Sequence, residues 1–147
     1  MRRAVWPVAV ALLAGGCVAP APTTAAYEEK AAMTAEAAVS EARTALLATD
    51  TYLRDGLTGA YLESVLVDAE EALGSVRATF DSIQPPDTAA ADELRATLDP
   101  LLEDAGSALT DLRIAARRDA RDELRTTAEE LTGTTDELEA FGEEHAP

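Results

Sequence analysis

The chain has 147 residues, with 12 Lys+Arg against 28 Asp+Glu for a formal charge of −16, one cysteine, one histidine and 4% aromatic residues. That is the size of one ordinary domain. An internal disulfide lacks its second cysteine, a Cys/His metal cluster lacks ligands, and at pI ≈ 4.2 charge does not draw the chain to nucleic acid.

The chain opens on Arg2 and Arg3, followed by an apolar run from Ala4 to Ala14 and then Gly15-Gly16-Cys17. A short basic start, an apolar stretch of about a dozen residues and a small-residue end have the form of an export leader. The run is too short to span a bilayer, which takes about 20 residues, and Pro7 interrupts it. The string LLAGGC, Leu12 to Cys17, resembles a bacterial lipobox, with Ala14 at the position where leucine is commonest. The resemblance implies cleavage before Cys17, a diacylglycerol thioether on its sulfur, and a mature protein held on the outer face of a membrane. Capping the lone thiol in this way also protects it from oxidation or mispairing outside the cell. More than one acyl chain gives a stable anchor. Cleavage removes two arginines and no acid, leaving 10 cations against 28 acids, a net −18.

These features divide the chain into a leader over 1–16, a lipid-bearing cysteine with a Pro/Ala/Thr tether over 17–24, a helical domain over 25–142 and a disordered tail over 143–147. Pro20 and Pro22 bias the tether to extended polyproline II. The first helix is expected from about Thr24 to Asp55, with Ala32, Ala35, Val39, Ala42, Leu46, Thr49 and Leu53 on one face, widened by Ala38, Ala45 and Tyr52. Gly56 is expected at its left-handed C-terminal position. Thr58 is placed to cap the second helix, with Leu57 and Leu62 as a hydrophobic staple. The stripe of that helix is Leu62, Leu66, Ala69, Leu73, Val76, Phe80 and Ile83, and Pro85-Pro86 stops it.

Asp87 is expected to cap the third helix, whose stripe runs Leu94, Leu98, Leu101, Ala105, Ala108, Leu112 and Ala115, with a kink or break at Pro100. The last segment places Leu124, Leu131 and Leu138 seven apart, with Thr127, Thr134 and Phe141 beside them. Its register does not continue that of the third helix, so a turn at residues 117–120 is expected, with Asp119 capping a fourth helix. The fold class is therefore all-α, an up-down-up-down four-helix bundle; the alternative is a three-helix bundle with one long bent last helix.

The run IQPPDTAAADELRATLDPLL, Ile83 to Leu102, with ALTDLRIAARRD, Ala108 to Asp119, resembles small helical lipoproteins of high-GC bacteria, and eleven arginines to one lysine suit such a genome. That family has no assigned activity, so the resemblance brings no catalytic residue and no cofactor.

Five arginines, Arg113, Arg117, Arg118, Arg121 and Arg125, fall within thirteen residues. Four are spaced by four and would repel one another along an unbroken helix. A turn gathers them at one end of the bundle, where they either dock a carboxylate- or phosphate-bearing partner or are neutralised by Asp119, Asp122, Glu123 and acids of neighbouring helices. The paired acids Glu28-Glu29, Glu70-Glu71, Glu129-Glu130 and Glu143-Glu144 are adjacent, so the two members of each pair do not share a helix face. His145 reads as part of a solvated tail rather than a metal ligand. The expectation is a non-enzymatic, lipid-anchored envelope protein. Its competitors are an accessory subunit docking through the arginine end and an enzyme using carboxylates alone.

Overall fold

The structure is a computed structural model that describes residues 21–147. The expected leader over 1–16 and Cys17 lie outside the described residues. Four helices follow in order: α1 Thr24–Leu53, α2 Gly59–Asp81, α3 Ala89–Arg117 and α4 Arg121–Glu144. The turn at residues 118–120 is present, so the chain is a four-helix bundle and the three-helix alternative is excluded.

Three threonines start three of the helices. The hydroxyls of Thr23, Thr58 and Thr88 accept from the N–H groups of Ala26, Tyr61 and Ala91 at 3.1, 3.3 and 3.3 Å, each satisfying a donor that the first turn leaves free. Thr88, rather than Asp87, therefore caps α3, because its extended backbone puts its side chain under the Ala91 amide. Asp119 does not cap α4 either. Ala120 occupies that position with no side-chain bond, and Asp122 and Glu123 in the first turn offset the positive end of the helix.

Asp119 is instead the left-handed residue that ends α3, at φ 51, and Asp55 ends α1 in the same way at φ 61. Both ends form the same two-bond closure. Gly56 N–H donates to Thr51 O and Asp55 N–H to Tyr52 O, while Ala120 N–H donates to Ala115 O and Asp119 N–H to Ala116 O. Aspartate tolerates this backbone better than most non-glycine residues. Gly56, expected in the left-handed role, serves another need: a Cβ there would sit 2.9 Å from Thr51 Cγ2 and 3.2 Å from Thr51 O.

Pro100 does not break α3, which is continuous from Ala89 to Arg117. Pro100 and Ala96 are both exposed, so the carbonyl deprived of its donor is not sealed in the core. At the C-terminus, α4 continues through Glu144 and His145 caps it, so the expected disordered tail is shorter than residues 143–147. At the other end the bundle begins before residue 25, since Ala21 is buried and its N–H donates to Gln84 O at 3.4 Å.

The core is asymmetric. α1 contributes Ala31, Ala35, Ala38, Ala42 and Ala45, all at zero exposure, whereas α2, α3 and α4 supply leucines such as Leu66, Leu109 and Leu131. A methyl-sized face lets helices approach toward the ~8 Å end of the packing range. Accordingly α1 touches α2, α3 and α4, while α2 and α4 do not meet among the described residues. The α3 stripe turns on Leu102 and Leu109, with Leu101 half-buried beside it, and in α4 the buried threonine is Thr135 rather than Thr134. Val76 and Ile83 of α2 are also only half-buried. Thr49 is buried with its hydroxyl unpartnered among the described residues, an arrangement that costs about 1–3 kcal/mol.

Candidate functional site

The five arginines do come to one region, but four of them are already paired with acids. Arg113 Nε donates to Glu70 Oε2 at 2.5 Å, and Arg117 Nε donates to Glu63 Oε1 at 2.5 Å. Together with Arg77 and Glu103 at 3.5 Å, these pairs form a ladder that holds α2 antiparallel to α3. Arg121 crosses to the end of α1, donating to Asp55 Oδ1 at 3.0 Å and to the Leu53 and Tyr52 carbonyls at 2.6 and 3.3 Å. A cation at those last carbonyls satisfies acceptors that the helix end leaves free. Its guanidinium also lies 5.1 Å from the Tyr52 ring centre, and the Tyr52 hydroxyl donates to Asp119 Oδ1 at 2.5 Å. The two left-handed aspartates are thus tied across the end of the bundle. Arg125 turns back to Asp122 at 2.7 Å. Arg118 is exposed and has no ion pair among the described residues. Neutralisation by neighbouring acids, one of the two sequence expectations, describes four of the five positions.

Hydrogen bonding to Arg113 holds the Glu70 carboxyl below its ordinary range, with Thr110 adding a second bond and burial opposing both. Asp99 is pushed the other way, chiefly by burial and then by the Asp81 carboxylate, against the attraction of Arg95 and Arg77. The signs follow. Glu70 contributes stability above its unfolded value that is lost as pH falls through its folded one, whereas Asp99 carries a penalty above its folded value that is relieved as pH falls. Glu70→Gln is therefore expected to lower the melting temperature near about pH 7, and Asp99→Asn to raise it modestly. Both differences should shrink as pH drops toward about 3, into the carboxylate range. Thermal melts across that window check it; differences that stay constant with pH would contradict the assignment.

At the opposite end, nearer the start of α1, the helices part. A cleft of about 750 Å³ opens between α1, α3 and α4. Its floor is Leu94, Leu101 and Phe141, and Glu28, Glu93, Glu137 and Glu144 surround it. His145 closes one end, with Nδ1 2.9 Å from Glu28 Oε1 and its ring 4.5 Å from that of Phe141. This pairing corrects the reading of His145 as solvated tail. Beneath the same end, buried Tyr27 packs on Phe80 at 5.5 Å, and Arg95 donates to the Tyr27 oxygen at 3.0 Å and to Ile83 O at 3.1 Å. That bond raises the Arg95 pKa further above its already high ordinary value.

Sequence reasoning missed this cleft. The available signal was the adjacent pair Leu101-Leu102, which makes the apolar arc of α3 wider than a single core contact requires. Among the described residues no three His, Cys, Asp or Glu side chains gather as a metal site, and no helix is long and apolar enough to cross a membrane. What the cleft offers is an apolar floor under fixed negative charge, which suits binding. No protein-family model, no curated protein and no solved structure matches this chain.

Proposed function

We propose that this chain is a bacterial lipoprotein. In this reading, acylation of Cys17 holds the bundle on the extracytoplasmic face of a membrane, where it works by binding or structural placement rather than by catalysis. The observation that carries the reading is Leu12 to Cys17 itself: a lipobox-like end to a short apolar run behind Arg2 and Arg3, closed by the only cysteine. The position of the bundle start supports a close anchor. Only residues 18–20 lie between Cys17 and buried Ala21, and at 3.3–3.6 Å per residue the two are at most about 14 Å apart. The cleft end, which includes Thr24, then lies toward the bilayer and the Arg121 clamp away from it. At −18 the mature chain is repelled by an anionic leaflet, so the lipid rather than the helices supplies the attachment.

Intact-mass measurement on protein extracted from membranes tests this reading. The expected species begins at Cys17 and carries added acyl mass, and Cys17→Ser is expected to abolish acylation and processing before residue 17. A protein found in the cytosol with its leader uncut, or one starting elsewhere with a free thiol, would overturn it.

A further inference from the structure

The cleft between α1, α3 and α4 joins apolar lining to carboxylates that no Lys or Arg of its lining offsets. Elsewhere, Arg43, Arg54, Arg77, Arg113, Arg117 and Arg125 each pair with an acid, as the clamp Arg121 also does. Around the cleft no Lys or Arg is among the lining residues. Glu93, Glu137 and Glu144 are exposed there, without ion pairs among the described residues. The floor beneath them is apolar, and the borders at Ala90, Ala96 and Ala140 carry only methyl groups, which leaves room for a helix backbone to approach.

Two further features narrow the occupant. From Ala90 to Leu101 the α3 wall runs about 17 Å, or three turns at 1.5 Å per residue. Pro100 has no N–H, so the Ala96 carbonyl in the same wall lacks its i+4 donor and is open to an external one. A second copy of this acidic chain would bring carboxylates against carboxylates. We propose that the cleft binds a cationic amphipathic helix of a partner protein. The helix would set an apolar i, i+3/i+4, i+7 stripe on half-buried Leu101 and exposed Ala96, Pro100 and Ala140, over the edges of buried Leu94 and Phe141, and aim Lys or Arg side chains at Glu93, Glu137 and Glu144.

This inference rests on the reading of the chain as a binding protein and names the chemistry of its partner. It does not depend on the acyl group, so the test uses the full chain carrying Cys17→Ser, and failure of the anchor leaves its result intact. The probes are a Leu/Lys amphipathic model helix of about four turns, the same composition scrambled so that leucine and lysine no longer segregate, and a Leu/Glu helix. Titrations are followed by NMR at about 0.15 M salt, where distant charges are screened.

The expected result is saturable one-site binding of the Leu/Lys helix, with shifts confined to residues 90–101 of α3 and the last two turns of α4. Joint Glu93→Gln, Glu137→Gln and Glu144→Gln substitution should weaken it by about tenfold or more with the fold unchanged by circular dichroism. Absence of binding overturns the proposal. So does equal binding of the scrambled or Leu/Glu helix, or undiminished binding to the triple variant, since each means that overall charge or loose apolar contact suffices.

Discussion

Phe80→Ala is expected to remove about 3–5 kcal/mol of folding stability, a large share of the roughly 5–15 kcal/mol available to a domain of this kind. Among the described residues, Phe80 and Tyr27 are the only fully buried aromatic side chains, and their rings meet 5.5 Å apart where α1 begins and α2 ends. Since α1 presents alanines to most of the core, no large aliphatic neighbour on that helix is poised to refill the void. The substitution also strips the Arg95 guanidinium of the ring it sits over at 5.5 Å. Urea or thermal unfolding measures the loss, which corresponds to a drop of roughly 10–25 °C in melting temperature. A loss below about 1.5 kcal/mol would mean that the site collapses freely and the aromatic pair is not the anchor of that end.

The elements whose signal is local were readable from the residues alone. In α2, Leu62, Leu66, Ala69, Leu73, Val76 and Phe80 recur at 4 and 3, Thr58 stands just before them, and the structure buries all but half-buried Val76 behind that cap. The break after Arg117 was readable because an unbroken helix would have stacked four arginines and shifted the leucine register. The misreadings arise where two adjacent residues are both competent and only tertiary placement decides. Thr88 rather than Asp87 caps α3, Leu102 rather than Leu101 enters the core, and Asp55 rather than Gly56 takes the left-handed turn. The arginine partners depend on how each helix is rotated about its own axis. No periodicity reports that Arg113 meets Glu70 or that Arg95 reaches Tyr27. The cleft was hidden for the same reason, because Leu94 and Phe141 are core residues and Leu101 is half-buried beside them, and only the placement of α3 against α4 shows that all three also line an opening.

Ala42→Leu is expected to destabilise the bundle by about 1–3 kcal/mol or more, although leucine is nearly as good a helix former as alanine and adds apolar surface. Ala42 has zero exposure on the face that α1 presents to three other helices at once. If α1 stood at the separation that leucine-lined helices keep, the larger side chain would fill a void and raise the melting temperature. With α1 seated on its alanines there is no such void, and the added atoms must force α1 away from the helices packed against it. Ala78→Leu, on the exposed face of α2, is the control and should stay within about 0.5 kcal/mol of the parent. A gain in stability at Ala42 would contradict the close seating of α1. A loss there with no change at Ala78 ties the cost to the alanine face, and shows that the small residues of α1 set the distance at which the other three helices close around it.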